Sequence, residues 1–456
     1  MSNTSQLSKS PINKLNIAQI FFLLFLVSLF FQVRYIFPNQ TAFQTGAYSD
    51  FTSISLYLSD IFLLLTWCFS FLPRGGVIFL KEIRSLGIIT LIAWLIYGLV
   101  WRFSSLTSLN WWFFVKYLEL IVAYGTSVFL FRKTGIKPLF IGLFIALSSS
   151  QSILALWQFY IQRSVGGIIH RLGESVLSPK MLGIAKIVSS GTEYIRGYGT
   201  FPHPNLLSAF LFTSVLLCIY KFVISIAPRA KVIYSLALLV NLLGLTVTFS
   251  RAAFLALAIG LIILLSFLLF SKDMISNREK FRLLAILFLS VIICFAIFQP
   301  FLATRATVTD DASLQRIFYA KIGLKMVEQH PVMGLGIGDS MLHMNQYSPI
   351  PLQSWQIQPI HNYFLLAAAE VGIVGALILL WIFLSHINSL WRRIKTEKDF
   401  SEKFFKLTLL LIFIGYLILM QFDHYFYTLQ QTQMLLWLTL GIIATETKKS
   451  PEGDLK

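Results

Sequence analysis

The feature that most constrains this chain is a succession of apolar windows, each about 17–25 residues long and so the length of a bilayer-spanning helix. They lie near 16–33, 53–72, 86–103, 111–131, 138–161, 205–225, 232–249, 252–271, 282–301, 363–385, 404–421 and 429–446. In hydrocarbon every backbone N–H and C=O must be satisfied within its own segment, so such windows fold as helices. Composition agrees. Of 456 residues, 56% are hydrophobic and only 12% are charged, against about 25% charged in globular domains. The expected fold is an all-α polytopic membrane protein of about twelve spans. The first window is too long for a signal-peptide core and reads as a retained helix.

A net charge of +17 raises nucleic acid as a partner. However, the Lys and Arg residues sit in short clusters between apolar windows instead of on one soluble face. With the N-terminus cytoplasmic, "PRGGVIFLKEIRS", "RKTGIK", "SKDMISNREKFR" and "WRRIKTEKDFSEKFFK" fall inside. The inside segments then hold about twice the Lys and Arg of the outside ones, which favours both termini inside. Cys68, Cys218 and Cys294 all fall in apolar windows, with no disulfide framework and no metal-ligand spacing.

Two outside loops, 162–204 and 302–362, are long enough to carry function. The second contains "DDASLQRIFYAKIGLKMVEQHP". Ser313 as N-cap and Pro331 as stop predict a helix over 314–329, too basic to span and apolar enough to rest at the outer interface. The turn "TFSRAAF" sets Arg251 at the outer end of a helical hairpin. His170, His203, His330, His343, His361 and His424 face the outside in this topology, together with Arg196, Arg251, Arg305 and Arg316, whereas His386 sits at the cytoplasmic end. Guanidinium forks bind phosphate and stay charged when desolvated, and a neutral imidazole can take a proton from a hydroxyl. The combination suits an anionic, lipid-linked substrate. A zinc site built from the outer histidines has little support, because His330 and His343 lie thirteen apart with no partner at i+4.

Other features have structural readings. In "RGYGTFPHPNLLSAFL", Asn205 is expected to cap the following helix, and His203, between two prolines, reads as structural. The glycines of "HPVMGLGIGDS" make a flexible loop, but no strand precedes it as a dinucleotide site requires. Asp60, Lys116 and Glu119 lie inside spans, where ionisable groups default to function. Lys116 and Glu119 are an i, i+3 pair and can neutralise each other. Glu370 follows His361 by nine residues. At about 100° and 1.5 Å per residue the two point to opposite faces roughly 13–14 Å apart, which excludes a direct His–Glu dyad. Glu370 is expected to find its partner on another helix, admitted by Gly372 and Gly375.

Taken in order, "RGYGTFPHPNLLSAFL", "TFSRAAFLAL", "RIFYAKIGLKMVEQHPVMGLGIGDS", "HNYFLLAAAEVGIVG" and "FDHYFYTLQQTQMLLWLTLGI" resemble the O-antigen ligase and polymerase superfamily. The likeness covers roughly residues 190–446, whereas the five N-terminal spans are similar only in hydropathy. The resemblance implies a GT-C-like glycosyltransferase at the outer face of a bacterial inner membrane. Such an enzyme moves a glycan from a polyprenyl diphosphate to an acceptor hydroxyl without metal or cofactor.

It implies His361 as catalytic base, with Arg251 and Arg316, and on less of the motif Arg196, binding the diphosphate. Lys321, His203, Asp423 and His424 are candidates to line the cavity, although an interfacial aromatic belt also accounts for the Phe and Tyr of "FDHY". Residues 1–190 then form the N-terminal spans and the start of the first outer loop. Residues 191–446 form the ligase-like region with its outer loop 302–362, and 447–456 a cytoplasmic tail. A polymerase of the same superfamily is the nearest alternative. A lipid-linked glycan transporter is an alternative of another class; against it, no broken helices in matching halves are evident and the polar features crowd one face.

Overall fold

A computed structural model describes residues 16–44, 46–74, 77–270, 276–304 and 311–447. Arg305 and the tail from 448 onward lie outside them. A helix coincides with each of the twelve apolar windows, from Ile17–Leu29 to Gln430–Thr447. Eight are long and apolar enough to cross a membrane. Ile17–Leu29, Leu58–Phe71 and Leu86–Trp101 are apolar but shorter, and Gln430–Thr447 is not among the eight.

The reason for the last case is its position. Gln430, Gln431, Thr432 and Gln433 are all buried, and the helix packs against Ser108–Lys133, Tyr363–Thr396 and Phe400–Phe422. A helix surrounded by protein can carry polar side chains that a lipid-facing one cannot. One apolar core runs from Ala18 to Ala444, so the N-terminal helices pack with the later ones as a single body. The short strands form two hairpins in loops, Arg34–Ile36 with Ser55–Tyr57 and Lys186–Ser189 with Thr192–Ile195.

The buried charges pair as expected and recruit a further partner. Lys116 bonds Glu119 at 2.8 Å and also bonds Asp60 of a neighbouring helix, to which Gln430 donates in turn. Ion pairs tie the opposite end of the bundle, among them Lys137–Glu402 at 3.0 Å and Arg132–Glu82 at 2.6 Å.

The Tyr363–Thr396 helix is broken at Gly372, whose φ of 74° and ψ of 170° are non-helical. The break falls inside one apolar window. The partner expected for Glu370 is corrected, since it comes from the "HPVMGLGIGDS" loop and not from another helix. Leu335 and Gly336 N–H donate to the carbonyls of Ala369 and Glu370 at 2.8 and 2.9 Å, and Ile373 N–H donates to the Pro331 carbonyl at 2.8 Å. Trp94 Nε1 donates to the Val371 carbonyl at 2.9 Å. Glu370 itself accepts from Gly338 N–H at 2.8 Å and from the Ser340 hydroxyl at 2.6 Å. The groups freed by the break are thus paired within protein, the condition under which irregular backbone is tolerated at membrane depth.

The glycine loop is therefore a packed insert instead of a flexible one. A Cβ on Gly372 would collide with the Val332 carbonyl, and its dihedrals lie in a region open essentially to glycine alone, which costs other residues about 1–3 kcal/mol. Gly372→Ala should destabilise the protein by about 3 kcal/mol or more once the collision is added. Thermal unfolding in detergent checks this, and an unchanged Tm would contradict the break.

Candidate functional site

The site is assembled at the end of the bundle that carries the two long loops. The Lys186–Ser189/Thr192–Ile195 hairpin, in register Lys186↔Ile195 and Ser189↔Thr192, leads directly into Arg196. Arg196 is buried, with Nε donating to the Thr248 carbonyl and Nη2 to Asn205 Oδ1, both at 2.6 Å. Thr248 closes the Pro228–Val247 helix. The next residue, Phe249, has φ +45°, a left-handed conformation that costs roughly 1–2 kcal/mol in an L-residue. Its ring is held among Phe159, Phe298 and Phe301. This fixed turn presents Arg251 at the start of the Arg251–Phe270 helix.

Arg251 Nη2 donates to the Ser313 hydroxyl at 3.2 Å. Ser313 is not the N-cap expected from sequence, because the helix runs Asp311–Gln329 and already contains it. Three residues on, Arg316 Nε donates to the Phe422 carbonyl at 3.0 Å. One face of the helix carries Tyr319, whose ring stacks on His361 with centroids 5.5 Å apart and planes 18° apart. The Tyr319 hydroxyl is anchored on the Gln356 carbonyl at 2.6 Å. Asn362 caps the next helix through Leu365 N–H at 2.9 Å and donates to the Gln421 carbonyl at 3.2 Å.

Residues 421–425, the end of the Phe400–Phe422 helix and the turn after it, are the hub. Asp423 is 7% exposed. It accepts from Asn205 Nδ2 at 2.9 Å and from His424 N–H at 3.0 Å. His424 Nδ1 engages the Thr428 hydroxyl at 2.7 Å. The His424 ring meets His361 edge-on at 5.1 Å and Tyr425 at 4.5 Å, and Tyr425 reaches His203 at 5.0 Å. Tyr425, Phe426 and Tyr427 are buried, which removes the aromatic-belt reading for them, whereas Phe422 is exposed.

His203 caps the Pro204–Ile224 helix in place of Asn205, its Nδ1 accepting from the Asn205 N–H at 3.1 Å. The Asn205 amide is thereby free to bridge Arg196 and Asp423. The sequence reading missed that bridge, since an Asn beside a helix start usually caps it.

Burial is the main influence on His361 and holds it below the ordinary histidine range; the Asp423 carboxylate opposes that and Arg316 adds to it. Burial likewise takes His203 and His424 well below that range, with nearby cationic groups adding to it. The three imidazoles are therefore neutral at pH 7. His361 Nδ1 is buried with no hydrogen-bond partner among the described residues. His361, Asp423 and His424 each offer one ligand atom within 4.8 Å of the others, a nitrogen and oxygen set of the kind that binds zinc.

His361, Asp423, His424, His203, Arg196, Arg251 and Arg316 thus belong to one connected region. Lys321 does not join it. It is exposed, about 200° around the helix from Tyr319. His330 and His343 lie elsewhere, on the Tyr347 hydroxyl and the Asp339 carbonyl. A cavity between Trp94, Arg102, Asn110, Gly336 and Glu370 contains none of the clustered histidines.

Comparison with known proteins bears on residues 234–380, which match the family model described as O-Antigen ligase. That stretch contains Arg251, Arg316 and His361 but not Arg196, Asn205 or Asp423. No curated protein matches the chain.

Proposed function

Because this chain belongs to the O-antigen ligase superfamily, we propose that it transfers a glycan from a polyprenyl diphosphate carrier to an acceptor hydroxyl at the outer face of a bacterial inner membrane. The observation that most supports this is the meeting of His361 and Asp423 with Arg316, while Arg251 reaches the same Asp311–Gln329 helix. The acceptor oxygen attacks the anomeric carbon from the side opposite the diphosphate. The new C–O bond forms as the bond to the phosphate oxygen breaks, the electron pair leaves with the diphosphate, and the anomeric centre inverts. His361 takes the acceptor's proton, and the Asp423 carboxylate stabilises the resulting imidazolium. Arg251 and Arg316 neutralise the charge developing on the leaving diphosphate.

A polymerase of the same superfamily shares this chemistry and differs in the acceptor, which is then another lipid-linked glycan. In a second mechanistic reading, His361, Asp423 and His424 would hold a divalent cation, which would supply positive charge for the diphosphate. The broken helix at Gly372 and the buried Asp60 and Lys116 speak for a transporter.

A single system separates these readings: purified protein in detergent, with no gradient, given a lipid-diphosphate-linked glycan and an acceptor. Transfer should proceed and should be unchanged by a strong chelator. Loss of activity on chelation, restored by metal, would support the cation reading. Absence of turnover would support transport, and a ladder of repeat lengths on the lipid would identify a polymerase.

A further inference from the structure

We infer that Arg196 and Asn205 are positioning residues: together they hold the Asp423 carboxylate beside His361 and lock it to the turn that carries Arg251. This inference rests on the base role proposed for His361. The geometry forms one chain of bonds. The Thr248 carbonyl accepts from Arg196 Nε at 2.6 Å, Asn205 Oδ1 accepts from Arg196 Nη2 at 2.6 Å, and Asp423 Oδ2 accepts from Asn205 Nδ2 at 2.9 Å. Thr248 lies three residues before Arg251, and Asp423 and His361 present ligand atoms within 4.8 Å of each other.

The chemistry of the three side chains fixes the order. Guanidinium only donates and carboxylate only accepts, so the group between them must accept on one side and donate on the other. An amide does both at this length. Aspartate in that place would face Asp423 with like charge, and an aliphatic residue would break both links. The guanidinium fork is directed at two fixed protein oxygens, and Arg196 is only 6% exposed. That placement sets it apart from Arg251 and Arg316 as a contact to the diphosphate. It also explains why His203 takes the cap, leaving the Asn205 amide for the bridge.

The charged and titratable groups facing His361 come from three places. Arg316 and Tyr319 are on the Asp311–Gln329 helix, Asp423 and His424 are in the 421–425 corner, and His203 precedes Pro204. Arg196 acts on His361 through Asp423, and that indirect route gives a distinctive signature: kcat falls while donor binding holds.

The test compares Arg196→Gln, Arg196→Lys, Asn205→Ala and the Arg196→Gln/Asn205→Ala double variant in the detergent transfer assay, with His361→Ala alongside. Each single change should lower kcat about ten-fold, since a small misplacement of a catalytic group is costly, while donor KM stays within about two-fold. Lysine should not rescue, because it cannot reach both oxygens as a fork. The double variant should be no worse than the poorer single one, as expected for members of one chain.

A wild-type kcat in Asn205→Ala, additive losses, rescue by lysine or a large rise in donor KM would each overturn the inference. If Arg196→Gln does not fold by size-exclusion chromatography, Asn205→Ala decides on the split between kcat and KM. An active His361→Ala defeats the proposed base. An inactive one beside wild-type Asn205→Ala defeats only the positioning role.

Discussion

His361→Ala should lower glycan transfer by about 10²–10⁴-fold, the usual contribution of a positioned general base, with donor KM nearly unchanged. The residue has the attributes the role needs. Its ring plane is set by Tyr319, a carboxylate stands nearby, and Nδ1 is buried without a partner among the described residues. Burial lowers its pKa, so the neutral, proton-accepting form prevails at neutral pH. The wild-type rate should therefore be flat near pH 7 and fall only below the ordinary histidine value of about 6.5. Asp423→Asn should move that fall to still lower pH, because the carboxylate favours the protonated ring. Initial rates between pH 5 and 8 with a defined donor measure both effects. Near wild-type transfer by the alanine variant would remove His361 from the mechanism.

Arg316→Ala should cost about 10²–10³-fold in kcat, the range seen when one donor to a developing negative charge is removed. Arg316→Lys should recover part of the loss, because a point charge remains but the second N–H of the fork is gone. Arg251→Ala should act in the same direction. The arginines differ in mounting: Arg251 rests on a side-chain hydroxyl and Arg316 on a backbone carbonyl. The Ser313 contact of Arg251 places its guanidinium against the helix that bears Arg316. Steady-state kinetics over donor concentration checks the assignment. A rise in KM with kcat intact would mean that Arg316 binds donor and transition state equally and does not assist departure of the diphosphate.

The sequence exposed parts of this site unevenly. His361 at a helix mouth, Arg251 in a two-helix turn and Arg316 on an amphipathic helix each sit in a local pattern that points to the loop end. The Asn205 bridge has no such pattern, because its partners are nine residues before it and 218 residues after it. Asp423 and His424 were visible as polar residues at a span end, but only packing of the 421–425 corner turns them toward His361. Lys321 stands apart from the cluster for a reason of rotation: the helix buries Tyr319 and Met326, which leaves Lys321 on the exposed side. The break at Gly372 was hidden inside an apolar run, since what permits it is a loop earlier in the chain, residues 331–340, that supplies the missing hydrogen bonds.

What the sequence determined by itself is the set of helices and the loops that join them. Hydrocarbon allows a backbone only if it is satisfied within its own segment, and that requirement is local. What the tertiary structure alone decided is which polar side chains from distant segments meet, which of them are spent on holding others, and where a span can afford to break. These depend on how helices rotate and pack against one another, and no short stretch of residues carries that information.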